Sequence, residues 1–434
     1  MYRNLLLRLS EQKQDPNFIH AGENVMNKIC RIVLVSLIVP SVVYVSAVSA
    51  EEQNRSPQIS RPVAGNNEFA VDIYRKMAAP GKNLFISPLS MVTAFSMVYA
   101  GARGITGQEI EKVFRFRATG EDMARDWSAL MEDMKARAKG GKYRLDSANR
   151  LWIGKNISLL DSFTAVMKKY YNAGLKQLDF AGEPEESRAA INRWVARNTN
   201  DKITGLVPEG AITKATNLVL TNAVYFLGTW ERPFDEKATA RADFFVTPAR
   251  KIEVDMMKSF GHFSYFENND LQAVSLPYKS KDSRENGLSM IVLLPKGRAG
   301  IAGLDKKLTI DNWKKWNAGM AKNEVSVFLP RFEVTSFASL ADILRQMGMK
   351  TAFTPQADFS GMAPGVAISE AFHKAYVKVN EKGTEAAAAT AVIMVKANGG
   401  KKHTFRADHP FIFAICDNGT GAILFIGRVE DPGK

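Results

Sequence analysis

The residues with the most informative spacing lie near the C-terminus and could together form a new β-strand. From residue 384 to residue 395 the chain alternates in two phases, and the members of one phase are all small or apolar. That phase contains Thr384, Ala386, Ala388, Thr390, Val392 and Met394. The first charge, Glu385, belongs to the other phase, so a strand made from this segment would avoid the cost of burying a charge. A helix is the local competitor, because alanine is the best helix former.

The strand that must position this segment comes directly before it. Residues 373–381 alternate in the way that is typical of a half-buried strand. Over residues 383–403 no side-chain pattern connects the chain to a core, which predicts a long exposed loop. Such loops are usually functional or disordered. Two interpretations are therefore open: a loop that can become a strand, and a plain surface linker.

Nothing in the sequence points to a catalyst. The chain lacks a Gly-x-Ser-x-Gly elbow, a phosphate-binding glycine loop and a His-Glu-x-x-His pair. Five histidines are spread along the chain, and His403 and His409 are too far apart for a familiar pair of metal ligands. A Ser/His/Asp triad would not be recognisable from sequence alone, and no residue of this chain indicates one. We therefore expect a protein that is not an enzyme and that has no metal site.

Two motifs near the C-terminus resemble the serpins, a family of proteins that inhibit serine proteases by acting as suicide substrates. Residues 381–385, Glu-Lys-Gly-Thr-Glu, and the alanines after them are similar to the hinge of the serpin reactive loop. Residues 405–415 resemble the serpin C-terminal signature at every position. Similar segments also occur earlier in the chain, at residues 83–90, 101–106 and 226–230.

The resemblance covers roughly residues 67–432 and implies a mixed α/β fold. It predicts a single serpin domain over residues 66–434, with three β-sheets, about nine helices and an exposed reactive loop over about residues 381–404. Length alone would favour two domains. The resemblance favours one.

The resemblance also assigns roles to individual residues. The hinge would comprise Glu381, Gly383, Thr384, Ala386 and Ala388. The shutter, a hydrogen-bonded group where the main sheet opens, would comprise Ser87, Ser90, Asn222 and His373. The breach, where the loop enters the sheet, would comprise Trp230, Arg331 and Glu381. The competing interpretation is that these are ordinary core groups, and that Arg331 and Glu381 are two exposed charges.

The same resemblance predicts the bond that a protease would cut. In inhibitory serpins with this hinge, the recognised residue lies sixteen positions after the hinge glutamate, which gives Ala397 and the bond to Asn398 (381 + 16). A small residue there favours elastase-like or subtilisin-like proteases as partners. If the register slips by one, the bond joins Lys396 to Ala397 and trypsin-like proteases are favoured; Val395 is a third possibility. No cofactor is implied, and the inhibitor would be a monomer.

The alternative function within the family is that of a non-inhibitory serpin. Such relatives act as carriers, chaperones or storage proteins. They tend to have a charged or bulky residue where Thr384 stands, or an interrupted alanine run. Neither feature occurs in this chain, so the sequence favours an inhibitor.

The first fifty residues have the composition of an export signal. A basic region at residues 26–31 precedes an apolar run at residues 32–45 and a small-residue cleavage site at residues 48–50. This order predicts a secretory signal peptide over residues 26–50, too short to span a membrane comfortably. Residues 1–25 would then be a wrongly assigned extension, with an uncleaved anchor as the alternative. We expect a secreted or extracellular protein, periplasmic in a Gram-negative bacterium, without a membrane association.

The chain has a formal net charge of +13, of which about +11 follows residue 50, since the first fifty residues hold five Lys/Arg and three Asp/Glu (13 − 2). Such a charge favours acidic partners, heparin-like polymers or nucleic acid. No basic cluster with interleaved aromatic residues is visible, so solvated faces are favoured and nucleic acid is not expected. Cys30 lies in the signal and Cys416 is predicted to be a buried thiol.

Local patterns predict the elements around the functional residues. The composition of residues 51–65 predicts a polar leader, and helical spacing begins at Asn67. Ser87 is predicted to cap a helix whose first residue is Pro88. The apolar run at residues 217–226 predicts a central strand that is buried on both faces.

Overall fold

The computed structural model describes most of the chain from residue 56 onwards. The described ranges are residues 56–138, 143–172, 174–280, 287–384 and 402–434. Within them, Pro57–Lys434 forms one compact unit. Among the helices of these ranges, none combines the length and the apolar character needed to cross a membrane. The predicted signal peptide at residues 26–50, and the extension before it, lie outside the described residues.

The described residues contain nine α-helices, in agreement with the predicted number of about nine. In chain order they are α1 (Pro57–Met77), α2 (Pro88–Gly101), α3 (Gly104–Phe114), α4 (Gly120–Ala138), α5 (Asp161–Tyr170), α6 (Pro184–Asn198), α7 (Ile301–Lys307), α8 (Ile310–Ala318) and α9 (Leu340–Met347). Helix α2 begins as predicted: the Ser87 hydroxyl accepts a hydrogen bond from the Ser90 N–H at 3.3 Å, and Pro88 is in the first turn.

Helix α1 begins earlier than the sequence pattern indicated. Its first residue is Pro57, so most of the segment predicted as a polar leader, residues 51–65, is helical. The polar composition concealed a buried side of this helix. Asn66 and Asn67 are buried there and form hydrogen bonds with backbone groups of residues 421–423. Of the buried residues before Asn67, Pro62, Gly65 and Asn66 contribute no apolar periodicity, which is why the pattern placed the start of the helix too late.

Fifteen strands of the described residues form two sheets. The strands are β1 (Leu84–Ile86), β2 (Tyr143–Gly154), β3 (Leu175–Leu178), β4 (Leu218–Thr229), β5 (Ala240–Thr247), β6 (Arg250–Glu267), β7 (Leu271–Pro277), β8 (Leu288–Pro295), β9 (Ala321–Pro330), β10 (Phe332–Ser339), β11 (Ile368–Asn380), β12 (Gly383–Thr384), β13 (Lys402–Arg406), β14 (Phe411–Asp417) and β15 (Ile423–Val429). The nine-stranded sheet has the order β1-β15-β14-β8-β7-β6-β9-β13, with β5 paired to β6. The six-stranded sheet has the order β10-β11-β12-β4-β2-β3.

The predicted fold class, mixed α/β with several sheets, is confirmed, but the predicted three sheets form two hydrogen-bonded networks among the described residues. The cause is β6, an 18-residue strand that changes partners along its length. It pairs with β5 over residues 250–256, with β9 over residues 256–265 and with β7 over residues 264–267. Two sheets that could be counted separately are therefore joined by β6 into one hydrogen-bonded sheet.

The six-stranded sheet lies between two hydrophobic cores. All but one of the twelve residues of β4 are buried, which confirms the predicted central strand. Leu220 and Val224 belong to the main core. Ala223 and Tyr225 belong to a second core, which α6 covers with Ile191. Alternate residues of β4 thus face opposite cores, as strand geometry requires.

Candidate functional site

The central feature of the site is a gap at one end of the six-stranded sheet. Strands β4 and β11 pair directly, as parallel strands, from Leu218 and Ile368 up to Tyr225 and Tyr376. Beyond these tyrosines the two strands separate, and Gly383–Thr384 of β12 lies between them. The chain turns back after β11, so β12 runs antiparallel to both neighbours. The first two residues after the turn therefore occupy the position of a central strand.

This arrangement corrects the predicted extent of the exposed loop. Gly383 and Thr384, which the sequence placed in the loop, are buried and paired on both sides. At the other end, Lys402–Arg406 forms β13 and pairs with β9. Both pairings are made by backbone hydrogen bonds, so no side-chain pattern in the sequence could predict them. The remaining loop, residues 385–401, lies outside the described residues, and with it the predicted site residues Ala386, Ala388, Lys396, Ala397 and Asn398.

Gly383 allows the chain to pass between β4 and β11. Its φ angle is +154°, and a Cβ atom added to it would lie 2.0 Å from the carbonyl oxygen of Gly228 and 2.8 Å from the Cα atom of Thr229. No side chain fits at those distances. The glycine of the predicted hinge is therefore required by close backbone contact.

Thr384 is fully buried, and its hydroxyl lies 2.7 Å from the hydroxyl of Tyr278. Tyr278 stacks on Trp230, with 4.5 Å between ring centroids and 17° between ring planes. The indole N–H of Trp230 donates a hydrogen bond to the carbonyl oxygen of Asn380 at 3.0 Å. The predicted breach residue Trp230 thus contacts the end of β11 and the side chain that holds Thr384. Sequence reasoning missed Tyr278, since nothing local to it indicates this contact.

Glu381 and Arg331 form the predicted ion pair beside the gap. Glu381 is 4% exposed, and the Nε atom of Arg331 lies 2.8 and 2.9 Å from its two carboxylate oxygens. The Thr239 hydroxyl donates to Oε1 of Glu381 at 2.6 Å. Burial opposes ionisation, but the hydrogen bonds from Arg331 and Thr239 outweigh it and lower the pKa of Glu381 below its ordinary value. The competing interpretation, a pair of exposed charges that contributes under about 1 kcal/mol, therefore does not fit, because the carboxylate is buried.

The four predicted shutter residues meet at the junction of β4, β11 and α2. The amide nitrogen of Asn222 donates a hydrogen bond to the hydroxyl of Ser90 at 2.6 Å, and the amide oxygen of Asn222 is hydrogen-bonded to Nδ1 of His373. The backbone N–H of Ser87 donates to Nε2 of His373 at 3.3 Å. Asn149 of β2 completes the group, since its oxygen accepts from Asn222 at 2.6 Å. Sequence reasoning missed Asn149 because its partner lies on another strand.

His373 is fully buried, and this burial lowers its pKa to about 3. The ring is therefore neutral near neutral pH. Its contacts require one protonated nitrogen, because Nδ1 faces the carbonyl oxygen of Asn222 while Nε2 faces the N–H of Ser87. Protonation of Nε2 would set a positive charge and a second donor against that N–H.

We expect His373 to make the intact protein less stable as the pH falls below about 6.5. The unfolded chain binds a proton near the ordinary pKa of 6.5, whereas the folded chain binds it only near 3, so stability is full above 6.5 and is lost as the pH falls toward 3. A single group of this kind contributes a slope of up to about 1.4 kcal/mol per pH unit. Urea unfolding at pH 7.5, 6.5, 5.5 and 4.5 measures that slope.

The matched control for this pH dependence is His373→Gln, which keeps a polar side chain but has no titratable group. Its other titrating groups are those of the wild-type protein, so the difference between the two unfolding free energies isolates His373. That difference should change steadily with pH below 6.5. Parallel pH profiles for the two proteins would contradict the assignment.

The fold and the site can be compared with known proteins. A family model described as "Serpin (serine protease inhibitor)" matches residues 64–432. Serpin B4 from Homo sapiens is 37% identical over 388 residues, covering 85% of this chain and 98% of the relative. A serpin-like protein from Thermococcus kodakarensis is 38% identical over 371 residues, covering 84% of each chain. The crystal structure of uncleaved ovalbumin aligns with a TM-score of 0.76 at 29% identity, covering 86% of this chain and 100% of that one. Family match, sequence identity and fold agree, and the chain belongs to the serpin family.

Proposed function

We propose that this protein inhibits serine proteases as a suicide substrate, by inserting its cleaved loop between β4 and β11. The observation that carries the proposal is β12, because the first two residues of the loop segment already pair with both strands. Membership of the serpin family supports protease inhibition rather than catalysis. The mechanism and the class of target protease are our inference.

The registers of β12 predict how an inserted strand would lie. Thr384 is opposite Val379 of β11 and Gly228 of β4. Continuing both antiparallel registers would put Thr390 opposite His373 (379 + 384 − 390) and opposite Asn222 (228 + 384 − 390). The hydroxyl of Thr390 would then come to the shutter, where the bond between Asn222 and His373 must open.

The same registers support burial of the uncharged phase of the loop. Three of its members, Ala386, Ala388 and Val392, would lie opposite Phe226, Val224 and Leu220 of β4, all of which belong to the main core. Glu385, on the other phase, would lie opposite Lys378, whose side chain is 47% exposed. A strand in this register therefore buries apolar groups and leaves its charge beside a solvent-facing lysine, which avoids the cost of a buried unpaired charge.

The proposed reaction begins when the serine of a protease attacks the carbonyl carbon of the recognised loop residue. The peptide bond breaks, its nitrogen leaves as the amino group of the next residue, and the loop remains joined to the protease as an ester. Residues 384–396 are thirteen residues and span about 43 Å when extended at ~3.3 Å per residue. Insertion of this segment would carry the attached protease across the sheet before water can hydrolyse the ester.

In this mechanism the contacts around the gap fix the turn before β12 until the loop is cut. The pair of Arg331 and Glu381 anchors the turn before β12, and Trp230 anchors it from the other side through its backbone N–H, 2.9 Å from the carbonyl oxygen of Lys382. The shutter residues keep β4 and β11 joined below the gap until the loop is cut.

We also propose that the mature protein is exported and acts as a monomer. Export rests on the predicted signal at residues 26–50 and on no other residues. The expected partner is a single protease molecule, since one loop can acylate one protease.

The proposal is tested by incubating the protein with elastase, subtilisin and trypsin and separating the products by denaturing electrophoresis. We expect a covalent complex with at least one protease, at a ratio near one to one, because an inserted loop prevents hydrolysis of the ester. The matched control is the same protease with its catalytic serine blocked. Cleavage of the loop by each protease with full retention of its activity would contradict inhibition and favour a carrier, chaperone or storage role.

The mass of the released C-terminal peptide identifies the bond that is cut. Cleavage after Ala397 releases residues 398–434, which are thirty-seven residues (434 − 397). A peptide that begins at Ala397 would assign recognition to Lys396 and a trypsin-like target. A peptide that begins far from this segment would contradict the assignment of the loop.

A further inference from the structure

An arginine that has no carboxylate partner among the described residues lies between β2 and α6. Arg150 of β2 lies between Ala148 and Trp152, two positions from each, and both of these residues belong to the second core, which α6 covers. Alternate residues of a strand point to the same side, so the side chain of Arg150 points toward α6. Its guanidinium carbon lies 4.0 Å from the ring centroid of Trp194 on α6 and 5.2 Å from that of Trp152. The guanidinium is therefore held against aromatic rings of both a helix and a strand.

The stacking covers the face of this guanidinium but leaves its N–H groups without acceptors. A guanidinium has five N–H donors that lie in its plane, and a ring stacked on that plane leaves them unpaired. Nε of Arg150 is buried and has no hydrogen-bond partner in the described part of the chain. The two Nη atoms are not enclosed, and no described residue supplies an acceptor for them. The open edge of Arg150 is therefore its pair of Nη atoms.

The half-buried position of Arg150 makes its charge costly. Burial lowers the pKa of Arg150 below its ordinary value, and burial is the only cause of this shift, so no neighbouring carboxylate offsets it. The carboxylates on the same two elements pair with other arginines. Asp146 of β2 pairs with Arg144 at 2.6 Å, and Glu186 of α6 pairs with Arg193 at 2.6 Å. The position of Arg150 thus calls for an anion from outside the described chain.

Two further cations flank Arg150. Lys176 of β3 is opposite Trp152 in the parallel pairing of β2 and β3, and it is exposed. Arg197 follows Trp194 by about one turn of α6 and is also exposed. Neither side chain forms an ion pair within the ranges that the structure describes. We call these three cations and Trp194 the Arg150 site.

We propose that the Arg150 site binds a small oxyanion through a single phosphate or carboxylate group. Two oxygens of the ligand accept hydrogen bonds from the two Nη atoms of Arg150, a geometry that suits the planar guanidinium. Lys176 and Arg197 add positive charge at the rim. The anion compensates a cation that is partly withdrawn from water. Because the open edge is one guanidinium wide, the site suits one such group better than a long polyanion. The proposal does not depend on the loop or on protease inhibition.

The test is calorimetric titration of the full chain with inorganic phosphate and, separately, with citrate, at pH 7.5 and constant ionic strength. We expect one bound anion per molecule, with a Kd of about 1 mM for the preferred anion. Tryptophan fluorescence should follow the same saturation curve, because the ligand lies beside Trp194. The melting temperature should rise with ligand concentration, since the anion binds the folded chain alone. The anion with the lower Kd shows whether the site prefers phosphate or carboxylate.

Three substitutions locate the bound anion. Arg150→Gln should raise the Kd at least about 10-fold, because it removes the two hydrogen bonds and the central charge. Arg150→Lys keeps the charge but loses the paired donors, so its Kd should also rise. Lys176→Gln should raise the Kd about 3-fold, since an exposed charge contributes less. Lys176 is exposed on an edge strand, so this variant keeps the test decisive even if the Arg150 variants fail to fold.

The matched control is Arg345→Gln. Arg345 also lies over an aromatic ring, 5.0 Å from the centroid of Phe353, but it is paired with Asp342 at 2.7 Å. Its guanidinium therefore already has a counter-ion, and the variant should bind phosphate and citrate with the wild-type Kd.

The proposal is refuted by any of three results. Equal Kd values for the wild type, Arg150→Gln and Lys176→Gln would place the anion elsewhere on the molecule. A signal that increases linearly with concentration in all variants would be a general salt effect. No binding of either anion up to about 50 mM would leave Arg150 as a purely structural contact between α6 and β2. None of these results would affect the proposed inhibition of proteases.

Discussion

Cleavage of the loop should raise the melting temperature of this protein by roughly 10 °C or more. An inserted strand gains backbone hydrogen bonds to β4 on one side and to β11 on the other, each worth about 0.5–1.5 kcal/mol net. In a domain of this size each kcal/mol moves the melting temperature by roughly 1 °C. The intact loop is tethered at Thr384 and at β13, so it cannot make these contacts along its length.

The measurement is scanning calorimetry of the intact protein and of protein cut once within residues 385–401, at one scan rate, so that any dependence of the apparent melting temperature on scan rate is the same for both. A matched control is protein cut at another exposed site, which should not gain stability. An unchanged melting curve after a clean loop cut would identify a serpin that does not insert its loop, and would favour the carrier or storage alternative.

Replacing Thr384 with arginine should turn the inhibitor into a substrate. Thr384 is fully buried against Tyr278, next to Trp230. A guanidinium there has no carboxylate partner in the described structure, and an unpaired buried charge costs several kcal/mol. In the intact variant we therefore expect β12 to leave the gap between β4 and β11, so that insertion after cleavage has to bury the guanidinium. Each 1.4 kcal/mol added to the barrier slows insertion about tenfold. Hydrolysis of the ester then overtakes insertion, and we expect more than ten molecules of Thr384→Arg to be consumed per molecule of protease.

The control for this substitution is Thr384→Ser, which keeps the hydroxyl that contacts Tyr278 and should inhibit at a ratio near one to one. Titration of protease activity against increasing amounts of each variant gives the ratio directly. The loop of Thr384→Arg should still be cut at the same bond, which shows that recognition is unchanged. A ratio near one for Thr384→Arg would contradict an inserted strand that contains this residue.

Much of the site could be predicted from the sequence because the resemblance rests on local motifs. The cap at Ser87, the buried run of β4 and the pair of Arg331 and Glu381 were all expected, and the structure contains each of them. The alternation from Thr384 onwards also indicated which of its two phases of side chains could be buried in a core. It could not indicate that Gly383 and Thr384 are already paired in the sheet, because this depends on where β4 and β11 separate.

The missed residues have partners that are distant in the chain. Tyr278 meets Thr384 across 106 positions, and Asn149 meets Asn222 across 73 positions. Asn66 of α1 likewise meets Ile423 across 357 positions. Such contacts follow from tertiary structure and leave no periodic signal.

The most direct test of loop insertion is amide hydrogen exchange, followed by mass spectrometry, in the intact and the loop-cleaved protein. If residues 385–396 extend β12 as a central strand, their amides should exchange at least about 100-fold more slowly after cleavage, because each amide of an inserted strand is hydrogen-bonded to β4 or β11. Peptides from Lys402–Arg406 of β13, which does not insert, serve as the internal reference. Exchange of residues 385–396 at equal rates before and after cleavage would contradict loop insertion.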